Sequence, residues 1–120
     1  MAVQGKYVDG FLLAVPNDKK TEYIEQAETF ARVMRKYGLL EYVESWGDDL
    51  PEGKVNSFHT AVIRKDNENV VFSFCTWPDK ETRDKGWEEA MKDPELQMDP
   101  EDMPWDGKRM IWGGFKKIVG

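Results

Sequence analysis

The sequence predicts one α+β domain in which four strands and two helices follow as strand, helix, strand, strand, helix, strand. Three observations carry this reading. The runs Tyr7 to Val15 and Val70 to Trp77 are apolar at both odd and even positions, as strands covered on both faces are. Tyr23, Ile24, Ala27, Phe30, Ala31, Met34 and Tyr37 recur at helical spacing and form one apolar stripe. Met103 to Phe115 packs turn formers, two adjacent cations and two tryptophans into a run that ends as a strand.

Taken in order, the first strand is Tyr7 to Val15, ended by Pro16. Asn17 or Asp18 then caps a helix that Gly38 closes. Leu40 to Trp46 is the second strand, stopped by the turn residues Gly47 to Gly53. The next stretch, 56–65, reads either as a short helix capped by Ser57 or as a strand Phe58 to Ile63, and the helix is preferred. Val70 to Trp77 is the third strand. Pro78-Asp79 opens a second helix reaching about Lys92, with Trp87, Ala90 and Met91 as its buried stripe. Glu95 to Met103 is acidic and broken by Pro100, an irregular surface connection with room for one helical turn. Asp106-Gly107 marks a turn, and the last strand is Lys108 to Ile118.

Two helices cover only one face of a four-stranded sheet. The first and third strands are apolar on both faces, so the other face needs a cover, and a bare one would be a large apolar patch. With no spare element in the chain, the expected cover is a second copy, packed sheet to sheet as a homodimer.

Composition narrows the class. The chain has 120 residues, 40% of them hydrophobic and 12% aromatic, which is enough for one sizeable core. Its 17 cationic and 23 acidic side chains give a net charge of −6, and the cations are scattered, which argues against a nucleic-acid partner. Cys75 is the single cysteine, so neither an intrachain disulfide nor a thiolate metal cluster is expected. Met1 to Lys6 is polar and short, unlike a signal peptide, and no run approaches the ~20 apolar residues of a membrane span. The expectation is a cytoplasmic protein with no membrane partner.

Several segments together resemble a known family. They are the strand Tyr7-Val8-Asp9-Gly10-Phe11, the Trp46-Gly47-Asp48-Asp49 corner, Val71-Phe72-Ser73, Arg83-Asp84, Asp93-Pro94 and above all Met103 to Phe115. The resemblance is to the YbaA-like bacterial family of unknown function and covers nearly the whole chain. It implies a ferredoxin-like fold of the dimeric α/β barrel superfamily, an antiparallel sheet in the order 4-1-3-2, and a sheet-to-sheet dimer. Relatives in that superfamily include cofactor-free monooxygenases, isomerases and haem-handling proteins, but a shared fold does not transfer chemistry. The resemblance supplies no catalytic residue.

Candidate residues for a small-molecule pocket between sheet and helices are Asp9, His59, Ser73, Trp77, Lys108 and Arg109. Asp9 is the foremost, because a carboxylate within an apolar strand is costly unless paired. It reads either as a pocket group or as a structural ion pair, with Ser73, Lys108 or Arg109 expected against it. His59, the single histidine, is the natural general base, yet a structural histidine is the commoner outcome. A Cys75–His59 pair competes with an inert buried thiol. The acids Asp48-Asp49 and Glu95, Asp99, Glu101, Asp102 lack calcium-loop spacing and read as solvated loops, so no metal is expected. Haem has only His59 to recommend it, and no cofactor is expected. Among the tryptophans, Trp77 and Trp105 stand where a pocket rim or simple packing is possible. The sequence leaves two functions open: a small-molecule-binding protein or cofactor-free enzyme, and a non-catalytic homodimeric interaction or regulatory module.

Overall fold

A computed structural model of the chain describes residues 2–120. The elements are β1 (Tyr7–Pro16), α1 (Lys20–Arg35), β2 (Tyr42–Trp46), α2 (Phe58–Ala61), β3 (Glu68–Trp77), α3 (Lys80–Ala90) and β4 (Ile111–Lys116). Short 3-10 turns occupy Asn17–Lys19, Pro94–Leu96, Pro100–Asp102 and Gly107–Arg109. The four strands form one antiparallel sheet in the order β2-β3-β1-β4, which is the expected 4-1-3-2 seen from the other edge. The fold is α+β and ferredoxin-like.

Register assigns every strand residue to a face. Asp9 lies opposite Cys75, Phe11 opposite Ser73 and Leu13 opposite Val71, while Tyr42, Glu44 and Trp46 align with Cys75, Ser73 and Val71. Because side chains alternate across a strand, all of these share the face covered by α1 and α3. Trp77, Met34, Val15, Val33 and Val71 are fully buried there or beneath it. The opposite face carries Val8, Leu12, Phe72, Phe74, Val43, Ile111 and Phe115. Four of these, Phe72, Val43, Ile111 and Phe115, are exposed large hydrophobics.

Local chemistry explains the boundaries. Asp79 Oδ1 accepts from the Thr82 amide at 2.8 Å and caps α3. Ser57 and Thr60 form a capping box on α2, the helix that the sequence favours for this segment. Gly38 sits at φ +106, and a Cβ there would lie 2.5 Å from Thr82 Cγ2, so the α1 exit admits only glycine.

Five expectations are corrected. A 3-10 turn at Asn17–Lys19 opens α1, without a capping side-chain bond from Asn17 or Asp18. Ile24 and Met91 are exposed, at the edges of their helices' apolar stripes. The connection 95–103 is largely exposed and irregular as expected, but it carries two 3-10 turns where one helical turn was allowed for. Beyond it Pro104 is buried, and Trp105 and Met110 pack half-buried against Leu13, Val15, Tyr23 and Val71. The last strand begins at Ile111 and not Lys108, because Asp106 caps a 3-10 turn through the Lys108 amide. Finally, the chain does supply a partial cover for the second sheet face: Val62 and Leu50 pack on Ala14, Val70 and Leu12 at one end.

Candidate functional site

Between the helix-facing side of the sheet and the helices lies a cavity of about 680 Å³, within the usual range for small-molecule sites. Its floor is Phe11 and Leu13 of β1, Tyr42 and Glu44 of β2 and Ser73 of β3; α1, α3 and the 95–110 segment form its walls. Trp105 stands edge-on to Tyr23 with ring centroids 5.5 Å apart, which holds the 95–110 segment against α1. Arg32 Nη2 reaches Glu95 Oε2 at 2.5 Å, tying the start of that segment to α1, and just beyond the helix the Tyr37 hydroxyl donates to Asp93 Oδ2 at 2.6 Å.

Glu44 is the polar centre of the floor. The Tyr23 hydroxyl donates to its Oε1 at 2.6 Å, and the Tyr42 hydroxyl donates to its Oε2. Burial pushes the Glu44 carboxyl above its ordinary value, and the hydroxyls of Tyr23, Tyr42 and Ser73 pull it part of the way back. Both phenols are raised, chiefly by burial and then by the Glu44 charge, so they remain donors at any working pH. A carboxylate flanked by two neutral phenols in an apolar cavity is able to accept a hydrogen bond or a proton from a bound molecule.

Of the six pocket candidates only Ser73 lines this cavity, and so does Trp105, which the sequence offered as pocket rim or packing. Asp9 is buried, as expected, but the side chains against it are not those expected. Arg83 donates from Nε at 3.1 Å to each Asp9 oxygen and from Nη2 at 2.7 Å to Oδ1. The indoles of Trp77 and Trp87 both donate to Oδ2, at 2.9 and 2.8 Å. The guanidinium also stacks over the Tyr7 ring at 5.3 Å. Every acceptor direction of Asp9 is thereby used, and Trp77 serves as a buried donor to it.

Arg109 lies at the other end of β3, where Nη1 and Nη2 grip Glu68 at 2.8 and 2.7 Å, and Nη1 also donates to the Ile63 carbonyl. Lys108 is exposed on the adjoining turn. His59 Nε2 donates to the Leu50 carbonyl at 3.1 Å while Nδ1 accepts from Arg64 Nε at 3.0 Å. This histidine buttresses α2 on the opposite side of the sheet from Cys75, so the two form no pair. The Cys75 thiol is pushed up to about 12 by burial and the neighbouring Asp9 charge, and is inert. No cluster of three metal-ligating side chains occurs among the described residues.

Glu44, Tyr23 and Tyr42 escaped the sequence reading. The pattern that marks them is the alternation Tyr42, Glu44, Trp46, which sets one carboxylate between two aromatics on the face that must meet the helices.

A model of the family described as "Protein of unknown function (DUF1428)" matches residues 6–107. The chain is 49% identical over 114 residues to the "Uncharacterized protein YbaA" of Escherichia coli K12, covering 95% of this chain and 97% of that one. The protein of the same description from Shigella flexneri matches to the same extent. Among solved structures, a putative antibiotic biosynthesis monooxygenase from Bacillus cereus superposes with a TM-score of 0.50 at 10% identity, over 98% of this chain and 95% of that one. A dimeric ferredoxin-like protein from an uncultured marine organism gives 0.48 at 11% identity, over 95% of each chain. At such identities the first likeness is one of fold.

Proposed function

Because the chain belongs to the DUF1428 family, whose function is not known, we propose its activity from the cavity itself: it binds a small, largely apolar molecule between sheet and helices, with Glu44 receiving the ligand's polar group. The observation that supports this most is a carboxylate on the floor of a mainly apolar cavity roomy enough for a ligand, with no ion-pair partner among the described residues. A purely structural carboxylate in such a place is matched by a cation, as Asp9 is by Arg83.

A library of metabolites screened by thermal shift tests the proposal, since a ligand of the native state raises the melting temperature. Ala27 stands on the cavity wall, and Ala27→Trp fills it. Hits are expected to stabilise the native chain, to lose their effect in Ala27→Trp and to keep it in His59→Ala. Hits that stabilise all three proteins alike would place binding elsewhere and end the proposal.

The open sheet face supports a second element of this reading. Phe72, Phe115 and Ile111 are 47%, 61% and 45% exposed in the single chain, an apolar row of the kind a homodimer buries. The proposed working form is therefore a dimer packed face to face, with one cavity on the far side of each sheet.

A further inference from the structure

We infer, on the reading that this cavity holds a small molecule, that its ligand is an organic cation: an amine carried on an aromatic or alicyclic body, its nitrogen set against Glu44. Charge is the first argument. Glu22, Glu25, Glu44, Glu95 and Asp102 line the cavity, and no lysine, arginine or histidine does. Glu95 is neutralised by Arg32 and Lys36, whereas the other four form no salt bridge among the described residues. Glu22, Glu25 and Asp102 are exposed around the cavity and Glu44 is half-buried on its floor, a field of one sign that repels an anionic ligand and draws a cationic one in.

The floor gives the second argument. Both oxygens of Glu44 accept from phenols, which orient the carboxylate but bring no positive charge. Each oxygen keeps acceptor capacity for a further donor. An ammonium group supplies the missing charge and the donors together.

Aromatic surface gives the third. Tyr42 and Trp87 contribute to floor and wall, with Phe30 between them at centroid distances of 5.4 and 5.6 Å. Ring faces of this kind attract a cation and also pack against an apolar ring. Met98 and Met103 on the 95–110 wall supply flexible thioethers able to adapt to the ligand's body.

The test uses three probes of one shape and three charges: 1-naphthylmethylammonium, 1-naphthylmethanol and 1-naphthoate, titrated calorimetrically into the full chain near neutral pH. The amine is expected to bind at least about tenfold more tightly than the alcohol, and the carboxylate most weakly. In Glu44→Gln the amine's advantage should collapse while the alcohol's affinity is kept. Should that variant fail to fold, the order of the three probes on the native protein decides alone. Equal affinity for amine and alcohol, or a preference for the carboxylate, overturns the inference and leaves the cavity reading standing. No heat from any probe at millimolar concentration overturns the inference, whereas the cavity reading stands or falls separately by the metabolite screen on the native chain and Ala27→Trp.

Discussion

Arg83, from α3, holds Asp9, from near the start of β1, through two of its nitrogens, with Nη2 2.7 Å from Oδ1. The contact spans the helix and sheet layers, and the carboxylate is completed by the indoles of Trp77 and Trp87. Three side chains from α3 and β3 thus converge on one residue of β1 that is only 1% exposed.

Removing that charge leaves a guanidinium and two indole donors competing for a single amide oxygen. Asp9→Asn is expected to lower stability by about 3 kcal/mol, as breaking one side of a buried pair does. Affinity for any cavity ligand should be unchanged in the folded fraction, because Asp9 is outside the cavity lining. Urea unfolding followed by tryptophan fluorescence measures the first quantity and calorimetry the second. A stability loss below about 1 kcal/mol would show that the pair holds little together.

Glu68 and Arg109 make the comparable contact at the other end of the sheet, and it is sensitive to acid. The Arg109 guanidinium holds the Glu68 carboxyl below its ordinary value, with the Lys65 amide adding to the effect against the opposing pull of burial. A carboxylate lowered in the fold binds fewer protons there than in the unfolded chain, so its contribution is present above about pH 4.5 and lost as pH falls through the lower folded value. At neutral pH, Glu68→Gln should cost about 2 kcal/mol. As pH falls below the ordinary carboxylate value the difference between the two proteins should narrow. Parallel stability curves across that range would contradict the assignment.

Ile63 stands at φ +51, a conformation that a β-branched residue adopts only under strain, and its side chain is 69% exposed. The strain is tolerated because the Ile63 carbonyl accepts from Arg109 Nη1 at 2.9 Å and its amide donates to the Thr60 carbonyl. Ile63→Gly removes the strained Cβ and little buried surface. It is therefore expected to leave stability unchanged or raise it by up to about 1 kcal/mol, where isoleucine to glycine elsewhere is destabilising. Thermal unfolding decides, and a fall of several degrees would mean that Ile63 is packed in the working assembly.

The open sheet face gives a prediction about mass. Light scattering at micromolar concentration should return twice the 14.0 kDa of the chain, and the stable interface should bury at least about 1,200 Å². Phe115→Glu sets a charge in the apolar row, on the edge strand β4, and should give a folded monomer. A native chain that is already monomeric, with unaltered circular dichroism, would refute the dimer.

Much of this was legible in the chain, and what was hidden has a physical reason. The period of the hydrophobic residues places β1, α1 and β3, because those elements are apolar enough to announce which face is buried. Asp9 was recognisable as a buried carboxylate for the same reason. Its partner was not, since Arg83 comes from a helix whose docking over Trp77 depends on Gly86: a Cβ there would lie 2.6 Å from the Trp77 ring. Nor was the true role of Arg109 visible, because a 3-10 turn at Gly107–Arg109 turns it from the strand toward Glu68. Glu44 was the most concealed. It is one acid among 23 acidic side chains, and only the register Glu44 to Ser73 and the fold of α1 bring Tyr23 and Tyr42 upon it.

The state of Glu44 is open to measurement without any ligand. Its carboxyl is raised in the fold, so the folded state binds more protons than the unfolded chain just above the ordinary value of 4.5. Stability therefore declines as pH rises from there through the folded value, the reverse of the Glu68 contribution. Glu44→Gln cannot ionise and should abolish that decline, so the variant gains on the native protein as pH rises through the window. Its amide oxygen still accepts from one phenol and its amide nitrogen donates to the other, and at pH 7 it should lie within about 1 kcal/mol of the native protein. Glu44→Leu leaves the Tyr23 and Tyr42 hydroxyls without an acceptor and should cost about 2 kcal/mol or more. Urea titrations of the three proteins between about pH 4 and 8 measure the differences. If Glu44→Gln tracks the native curve throughout, Glu44 does not titrate out of its ordinary range, and the cavity floor is more open to water than its geometry indicates.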